Sequence, residues 1–194
     1  MSYKWQERFC RYHKVDSAQH TWTQRKYPAV DWQQLYQRLR GHNKHLEAVI
    51  NRNTPSTFRN KLQQQIKSGK TRSTHSAFGQ GDPGKTRESA VGYYGPRGEK
   101  LMTEHIVNNF GDELRDLATK DPLLKASGVA GGVSGFIQAV LVPELAVRLI
   151  MEDMDVDAKR AQETLADSAD LGELLNDEAV KRVVNEDSDF AELN

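Results

Sequence analysis

The stretch from Gly128 to Met154, GVAGGVSGFIQAVLVPELAVRLIMEDM, is the densest apolar run in a chain whose mean hydropathy is -0.73. Its large apolar side chains recur at helical rather than alternating spacing, at Phe136, Ile137, Val140, Leu141, Leu145, Leu149 and Ile150. Smaller apolar residues widen the stripe on almost every side. A helix that is apolar all round is buried, so this stretch predicts a core helix on which the rest of the chain packs.

The same stretch has to be weighed as a membrane span, because the run from 126 to 143 carries no charge and a bilayer needs about 20 apolar residues. Four glycines, two serines and Gln138 dilute that run, and Glu144 and Arg148 follow it closely. We therefore predict a buried helix and no membrane partner. Pro143 lacks an amide donor and its ring clashes with the carbonyl four residues earlier, which predicts a kink or two abutting helices.

Helical spacing also governs most of the remaining chain. Asp31, Thr54, Asp157 and Ser168 are predicted to cap helices, and another amphipathic stripe begins at Leu101. Strand content should be small, confined to the segments near Tyr27 and Tyr93. The predicted fold is mainly α: a single irregular helical domain over 1–194, wrapped around a buried central helix or helix pair at about 134–155. An aromatic N-terminal layer, a flexible loop or linker at 68–90 and an acidic tail at 186–194 complete it.

Composition limits the compartment and the class of protein. A chain of 194 residues is long enough to fold without staples. Cys10 is its single cysteine, which excludes an intramolecular disulfide, and the first residues do not resemble a signal peptide. An intracellular, reducing compartment is predicted.

The formal net charge is zero, yet it divides sharply along the chain. Residues 1–100 hold 19 Lys and Arg against 7 Asp and Glu, a net +12, whereas residues 101–194 hold 8 against 20, a net −12. Such a division predicts either an anionic partner for the first half, or attraction between the halves of one chain or of neighbouring chains.

The first 30 residues interleave aromatic and basic side chains. Such a mixture suits base stacking with phosphate contacts, and equally an irregular layer pinned to a core by its aromatic rings, which is the interpretation we favour. The basic candidates for nucleic-acid binding are Lys4, Arg8, Arg11, Lys14, Arg25 and Lys26, with Arg38 and Arg40 further along.

Two spacings resemble parts of metal sites. Cys10-x-x-His13 has the spacing of half a zinc site, but the chain offers no second half. His42 and His45 lie three residues apart without a carboxylate in register, so we expect both to be solvated. No metal or other cofactor is assigned.

Gly79 to Thr86 fits the phosphate-loop pattern G-x-x-x-x-G-K-T, which requires a strand before it and a helix after it. The flanking sequence predicts neither, so nucleotide binding here is interpreted as a chance match. The other route to an enzyme would be an anion pocket that Tyr93, Tyr94 and Arg97 form around His105. We expect His105 to be a hydrogen-bonded core or rim histidine.

The segment from Gly92 to Gly98, GYYGPRG, combines glycines with a stiffening Pro96 and two adjacent tyrosines. It predicts a structured connector that docks on the core. Its candidate interaction residues are Tyr93, Tyr94, Pro96 and Arg97.

Assembled in order, several blocks resemble the C-terminal domain family of the fungal restriction-of-telomere-capping proteins, fourth of that series. The blocks are FCRYH at 9–13, KYPAVDW at 26–32, GYYGPRGEKLM at 92–102, GFIQAVLVPELAVRLIMEDM at 135–154 and LGELLND at 171–177. The resemblance implies a nuclear or nucleocytoplasmic protein with a genetic connection to telomere end protection, and it supplies no catalytic residues. It also implies that a C-P-x-C-like segment outside this chain would complete a zinc site with Cys10 and His13.

The functional expectation is a non-enzymatic module that binds another protein or itself, in nuclear, chromatin-linked work. The alternative is nucleic-acid binding by the basic, aromatic N-terminal half. No small-molecule substrate is expected.

Overall fold

The computed structural model describes residues 3–68, 91–126 and 132–177, with backbone alone for 3–11 and 125–126. These ranges contain helices α1 (Tyr3–Gln24), α2 (Trp32–Gly41), α3 (Asn43–Ile50), α4 (Thr57–Lys67), α5 (Gly95–Ala118), α6 (Pro122–Ala126), α7 (Gly132–Phe136), α8 (Val142–Met154), α9 (Ala158–Asp167) and α10 (Ala169–Leu175). Gly92–Tyr94 forms a 3₁₀ turn and Ile137–Leu141 a π-helical turn. The described ranges contain no strand, so the prediction of a mainly α fold is confirmed.

Several predicted features lie outside the described residues. They include the loop at 68–90 apart from Ser68, the acidic tail at 186–194, and the phosphate-loop pattern at Gly79 to Thr86.

The predicted core element is one continuous helix from Gly132 to Met154, the central helix, which comprises α7, the π-helical turn and α8. Pro143 lies in the first turn of α8, directly after the π-helical turn. There the amide of Val142 donates to the carbonyl of Ile137, five residues back. The wider turn lets the chain continue past a residue that has no amide hydrogen, which explains why the helix does not break.

By length and composition the central helix could cross a membrane, with a mean hydropathy of 1.6 in its most apolar window. However, 67% of that window is buried inside the protein. Phe136, Val140, Leu141, Leu145 and Leu149 are fully buried. Helices α2, α4, α5 and α9 pack around it. This burial is typical of a core helix in a globular protein.

Local sequence explains where several helices begin. The Asp31 carboxylate accepts hydrogen bonds from the amides of Gln33 and Gln34, and Asp157 caps α9 in the same way through Arg160. Ser56, rather than the predicted Thr54, caps α4 by accepting from the amide of Arg59. Ser168 precedes α10 but does not cap it, because its hydroxyl donates to the carbonyl of Thr164.

The expectation of an irregular N-terminal layer is wrong in its secondary structure. Residues Tyr3–Gln24 form one helix of 22 residues. The segment contains neither proline nor glycine, and nothing in it interrupts the helical hydrogen bonds. Its aromatic anchoring is seen at the C-terminal end, where Trp22 and Tyr27 each pack 5.7 Å from the Tyr93 ring.

The 3₁₀ turn crosses α10 at backbone contact distance. A Cβ on Gly172 would lie 2.1 Å from the carbonyl oxygen of Gly92, and one on Gly95 would lie 2.0 Å from that of Gly172. Gly95 also has a φ of 61°, which favours glycine. Asn176 stabilises this contact, because its side-chain amide donates a hydrogen bond to the carbonyl of Tyr93 at 2.7 Å.

Candidate functional site

A largely buried carboxylate, Asp153, joins three elements at the end of the central helix. Its Oδ2 accepts hydrogen bonds from the hydroxyls of Tyr93, at 2.6 Å, and of Tyr94. Its Oδ1 lies 2.7 Å from Nη2 of Arg38, which also contacts Glu152 at 3.0 Å. We call these five residues the Asp153 brace. It ties α2 and the 3₁₀ turn to α8.

The ionisation of the brace follows from its burial. Loss of solvent raises the pKa of both Tyr93 and Tyr94, and the Asp153 carboxylate raises it further. Burial alone would lower the pKa of Arg38, but Tyr94, Asp153 and Glu152 outweigh it and raise that pKa. The tyrosines therefore remain neutral donors and Arg38 remains a cation.

A polar seam joins the brace to the rest of α8. Its six residues come from α2, the start of α3 and one face of α8: Arg38, His42, His45, Glu144, Arg148 and Glu152. His42 Nε2 lies 3.0 Å from Glu152, and His45 Nε2 lies 3.2 Å from Glu144. Arg148 Nη2 lies 2.9 Å from His45 Nδ1.

The expectation that His42 and His45 are solvated is therefore wrong. Their side chains are only 14% and 15% exposed, and each faces a carboxylate. Burial lowers the pKa of His42, assisted by Arg148, Arg38 and His45, whereas Glu152 opposes the shift. The carboxylates come from α8, about a hundred residues further along, so spacing around the histidines gave no sign of them.

His105 lies in α5 and is buried, as the sequence predicts. Its Nε2 lies 2.7 Å from Oδ1 of Asn43, and the Tyr36 ring packs edge-on against it. Burial lowers the pKa of His105, and nearby Arg40 lowers it further. His105 thus joins α5 to α3 as a neutral hydrogen-bonding group.

Another acidic residue, Asp121, is buried at the turn between α5 and α6. Its Oδ2 pairs with Nη2 of Arg52 at 2.9 Å and with Nη2 of Arg59. Its Oδ1 accepts from the amide of Leu123 at 2.8 Å. Burial would raise the pKa of Asp121, but the bonds from Arg52, Leu123 and Arg59 prevail and lower it. Unlike the brace, this cluster borders a cleft of about 320 Å³.

The predicted basic residues are divided between α1 and the turn after it. Lys4, Arg8, Arg11 and Lys14 belong to one helix, whereas Arg25 and Lys26 follow its end. Lys14 is exposed. Arg25 donates to the carbonyl of Asp167 at 3.0 Å, at the end of α9. The side chains of Lys4, Arg8, Cys10 and Arg11 lie outside the described residues, so the half zinc site with His13 stays a prediction.

The predicted interaction segment lies against the core. Tyr93 and Tyr94 are fully buried, with their rings stacked 4.9 Å apart. Pro96 and Arg97 are partly exposed in the first turn of α5. The Arg97 guanidinium lies over the Trp32 ring at 4.4 Å. The tyrosines contact Asp153 and Arg97 contacts Trp32, whereas His105 contacts Asn43 and Tyr36.

Within the described residues, no group of three or more His, Cys, Asp or Glu side chains could hold a metal ion. The carboxylates of the brace, the seam and the Asp121 cluster instead lie beside arginine or histidine side chains. Sequence reasoning missed Asp121, Asp153, Arg52 and Arg59, and it named Arg38 only as a candidate for nucleic-acid binding. The sequence Asp121-Pro122 did indicate the end of one helix and the start of another. It did not indicate that Arg52 and Arg59 would pair with the Asp121 carboxylate.

Comparison with protein families identifies the chain. A family model described as the RTC4-like domain matches residues 51–177. The chain belongs to the RTC4-like domain family. This result confirms the family resemblance found in the sequence, although residues 9–50 lie outside the match. The same chain matched neither a curated protein nor a solved structure.

The extent of the RTC4-like domain separates the two carboxylate clusters. The Asp121 cluster, with Arg52 and Arg59, lies wholly within the matched range. The Asp153 brace combines matched residues with Arg38, which lies outside the range. Helix α1 is also outside it.

Proposed function

We propose that this chain is a non-enzymatic protein-interaction module that self-associates through α1, the helix that precedes the matched RTC4-like range. Its proposed setting is nuclear and cytoplasmic, in telomere- or chromatin-linked work. The proposal includes no small-molecule substrate and no membrane. Zinc enters it only if ligands from outside this chain complete Cys10 and His13.

The exposure of α1 is the observation that carries this proposal. From Tyr12 onward, most of its side chains are exposed, and Tyr12 itself is 42% exposed. The helix packs against α10, with Ala18 buried and Trp22 against the core. A long helix with much free surface suits a binding element better than a core element.

Charge favours a second copy of the chain as the partner. The second half of the chain carries a net −12. Within the fold, Arg38, Arg52 and Arg59 of the first half already pair with acids of the second half. Lys14 on α1 is exposed. The basic α1 of one copy therefore complements the acidic surface of another.

The use made of reactive side chains supports a non-enzymatic role. Tyr93, Tyr94, Arg38 and Asp153 hold helices together, and His105 is satisfied by Asn43. Groups committed to such bonds stabilise a scaffold, and altering their protonation would disturb it.

Light scattering after gel filtration tests self-association. At physiological salt we expect a molar mass approaching twice the monomer mass of 22.0 kDa, rising with concentration. Reversing charge in α1 with Arg11→Glu and Lys14→Glu should return the mass to that of the monomer. The matched control is Lys61→Glu with Lys67→Glu, which makes the same charge change on exposed positions of α4.

A wild-type chain that stays monomeric at high concentration would contradict self-association. Equal dissociation by the α4 control would show that net charge, rather than α1, drives assembly.

Nucleic-acid binding is the second candidate, favoured by one property of α1. Because residues 3–24 form a single helix, Lys4, Arg8 and Arg11 share one stripe through their spacing of four and three residues. Such a stripe can follow a phosphate backbone, and Tyr12 offers an exposed ring for stacking.

Fluorescence anisotropy with labelled single-stranded DNA, duplex DNA and RNA tests this candidate. Affinity should fall with salt at a log–log slope of roughly −0.7 to −0.9 per phosphate contacted. The Arg11→Glu, Lys14→Glu variant should bind weakly and with a smaller slope. Absence of binding at low salt would rule this candidate out and leave the protein partner.

A further inference from the structure

The cleft beside Asp121 has the composition of a binding site. It lies between the start of α4 and the turn from α5 into α6, with a volume of about 320 Å³. Ligand pockets begin at roughly this size. Its polar lining includes Arg52, Ser56, Arg59, Asn60, Gln63 and Asp121.

The charge of the cleft is positive. Two guanidinium groups share the single carboxylate of Asp121, which leaves a formal charge of +1. The amide groups of Asn60 and Gln63 add hydrogen-bond donors to the lining. A small anion would find both charge compensation and donors there.

The two arginines have different freedom. Arg59 is 13% exposed, and its guanidinium also approaches the carbonyl of Val49 at 3.5 Å and the Phe136 ring at 5.2 Å. Arg52 is 59% exposed, with Asp121 as its contact. Arg52 can therefore turn toward a ligand while Arg59 and the Leu123 amide continue to compensate Asp121.

The backbone conformation of Arg52 also singles this residue out. Its φ is 61°, in the left-handed region that follows the end of α3. Glycine is the residue that takes this position at least cost. Lys26 and Asp155 also have a positive φ, but of these three residues only Arg52 lines the cleft, which makes its side chain the candidate for recognition there.

We propose that this cleft binds the oxyanion group of an acidic ligand, a phosphate monoester or a carboxylate, with Arg52 as the recognising side chain. The planar guanidinium fork fits either group through two parallel hydrogen bonds. The site is separate from α1, so it does not depend on the proposed self-association.

NMR of the arginine Nε–Hε groups tests the site directly. Inorganic phosphate and acetate are titrated separately, at constant ionic strength, into the whole chain. We expect saturable shifts of the Arg52 and Arg59 signals. Saturation by phosphate but not acetate identifies a phosphate site, and the reverse identifies a carboxylate site. Failure of both anions to saturate overturns the proposal.

Substitution separates the site from general charge effects. Arg52→Gly removes the side chain and places glycine at the left-handed position, so the protein should remain folded. It should weaken binding on the order of tenfold, the factor expected for one charge-assisted hydrogen bond. Arg115→Gln, at an exposed arginine paired with Asp112 on α5, is the control and should bind normally.

Binding by Arg52→Gly at wild-type strength would overturn the proposal. An equal loss in Arg115→Gln would do so as well, because the anion would then sense only overall charge. Arg52→Lys keeps the charge but not the fork, and intermediate affinity in that variant would support recognition by geometry.

Discussion

Asp153 is a largely buried carboxylate and Asp121 a buried one, and the same fold uses them differently. Both pair with arginines from the first half of the chain, and their side chains are 12% and 6% exposed. Asp153 is enclosed by two tyrosines and an arginine from neighbouring elements. Asp121 instead borders a cleft, and one of its two arginines is largely exposed. Similar chemistry therefore produces a brace in one place and a candidate binding site in the other.

Removing the cation from the enclosed carboxylate should have the largest effect. Arg38→Ala leaves the largely buried Asp153 beside two tyrosines without a counter-charge. We expect a loss of about 2–3 kcal/mol in the free energy of unfolding, somewhat below the value for a fully buried pair because both side chains retain some exposure. Urea denaturation measures it. The control Arg160→Ala, at a 63% exposed arginine with a local partner, should stay within about 0.5 kcal/mol of wild type. Equal losses in the two variants would refute the brace.

Removing one neutral donor from the same carboxylate should cost less. Tyr94→Phe deletes a hydroxyl that donates to Asp153, while Tyr93 and Arg38 remain. The expected loss is about 1–2 kcal/mol, because the carboxylate is left under-satisfied in a buried position. Tyr36→Phe, at a 51% exposed tyrosine, is the matched control with little expected change. A neutral Tyr94→Phe would mean that Asp153 is held by Arg38 alone.

The free energy of unfolding should also depend on pH through His42, which lies beside the brace. His42 lies beside Glu152, Arg38, Arg148 and His45, and its pKa is lowered in the folded protein. Unfolding therefore takes up a proton as the pH falls, so the free energy of unfolding should decrease below about pH 6.5.

His42→Gln should make that decline shallower between pH 7 and pH 5, as measured by urea denaturation at each pH. His105, whose pKa is also lowered, should account for part of what remains. His20→Gln, on the exposed surface of α1, is the control. An unchanged pH profile in His42→Gln would show that His42 does not contribute to the decline.

The smallest effect on stability is expected at the cleft. Arg52→Gly gives up a partly exposed ion pair but relieves a left-handed backbone, and the two contributions should nearly cancel. Thermal unfolding should place it within about 0.5 kcal/mol of wild type. A loss as large as that of Arg38→Ala would make Asp121 a second brace and remove the contrast between the two carboxylates.

Much of the scaffold could be predicted because its signals are local. The apolar stripe through Leu141 and Leu145 repeats at helical spacing, and Asp31 stands where a helix needs an acceptor. Helix α1 was harder, because its aromatic and basic residues form no apolar stripe. The composition therefore predicted an irregular layer, and the helix was missed.

The candidate sites could not be predicted from local sequence signals. Tyr93 and Asp153 are 60 residues apart, and Arg59 and Asp121 are 62 apart. Sequence spacing alone does not show which distant charges meet. The need for glycine at position 172 could not be predicted from sequence either. A side chain there would collide with the backbone of Gly92, which is distant in sequence.

The sequence by itself determined the helical class, the buried central helix and the family, because periodicity, capping and ordered blocks are written along the chain. Tertiary structure alone decided that His42 and His45 are largely withdrawn from solvent, that Asp153 is enclosed and that Asp121 borders a cleft. The reason is physical: ionisation and pairing depend on solvent exclusion and on distances between helices, which are set only when the helices pack.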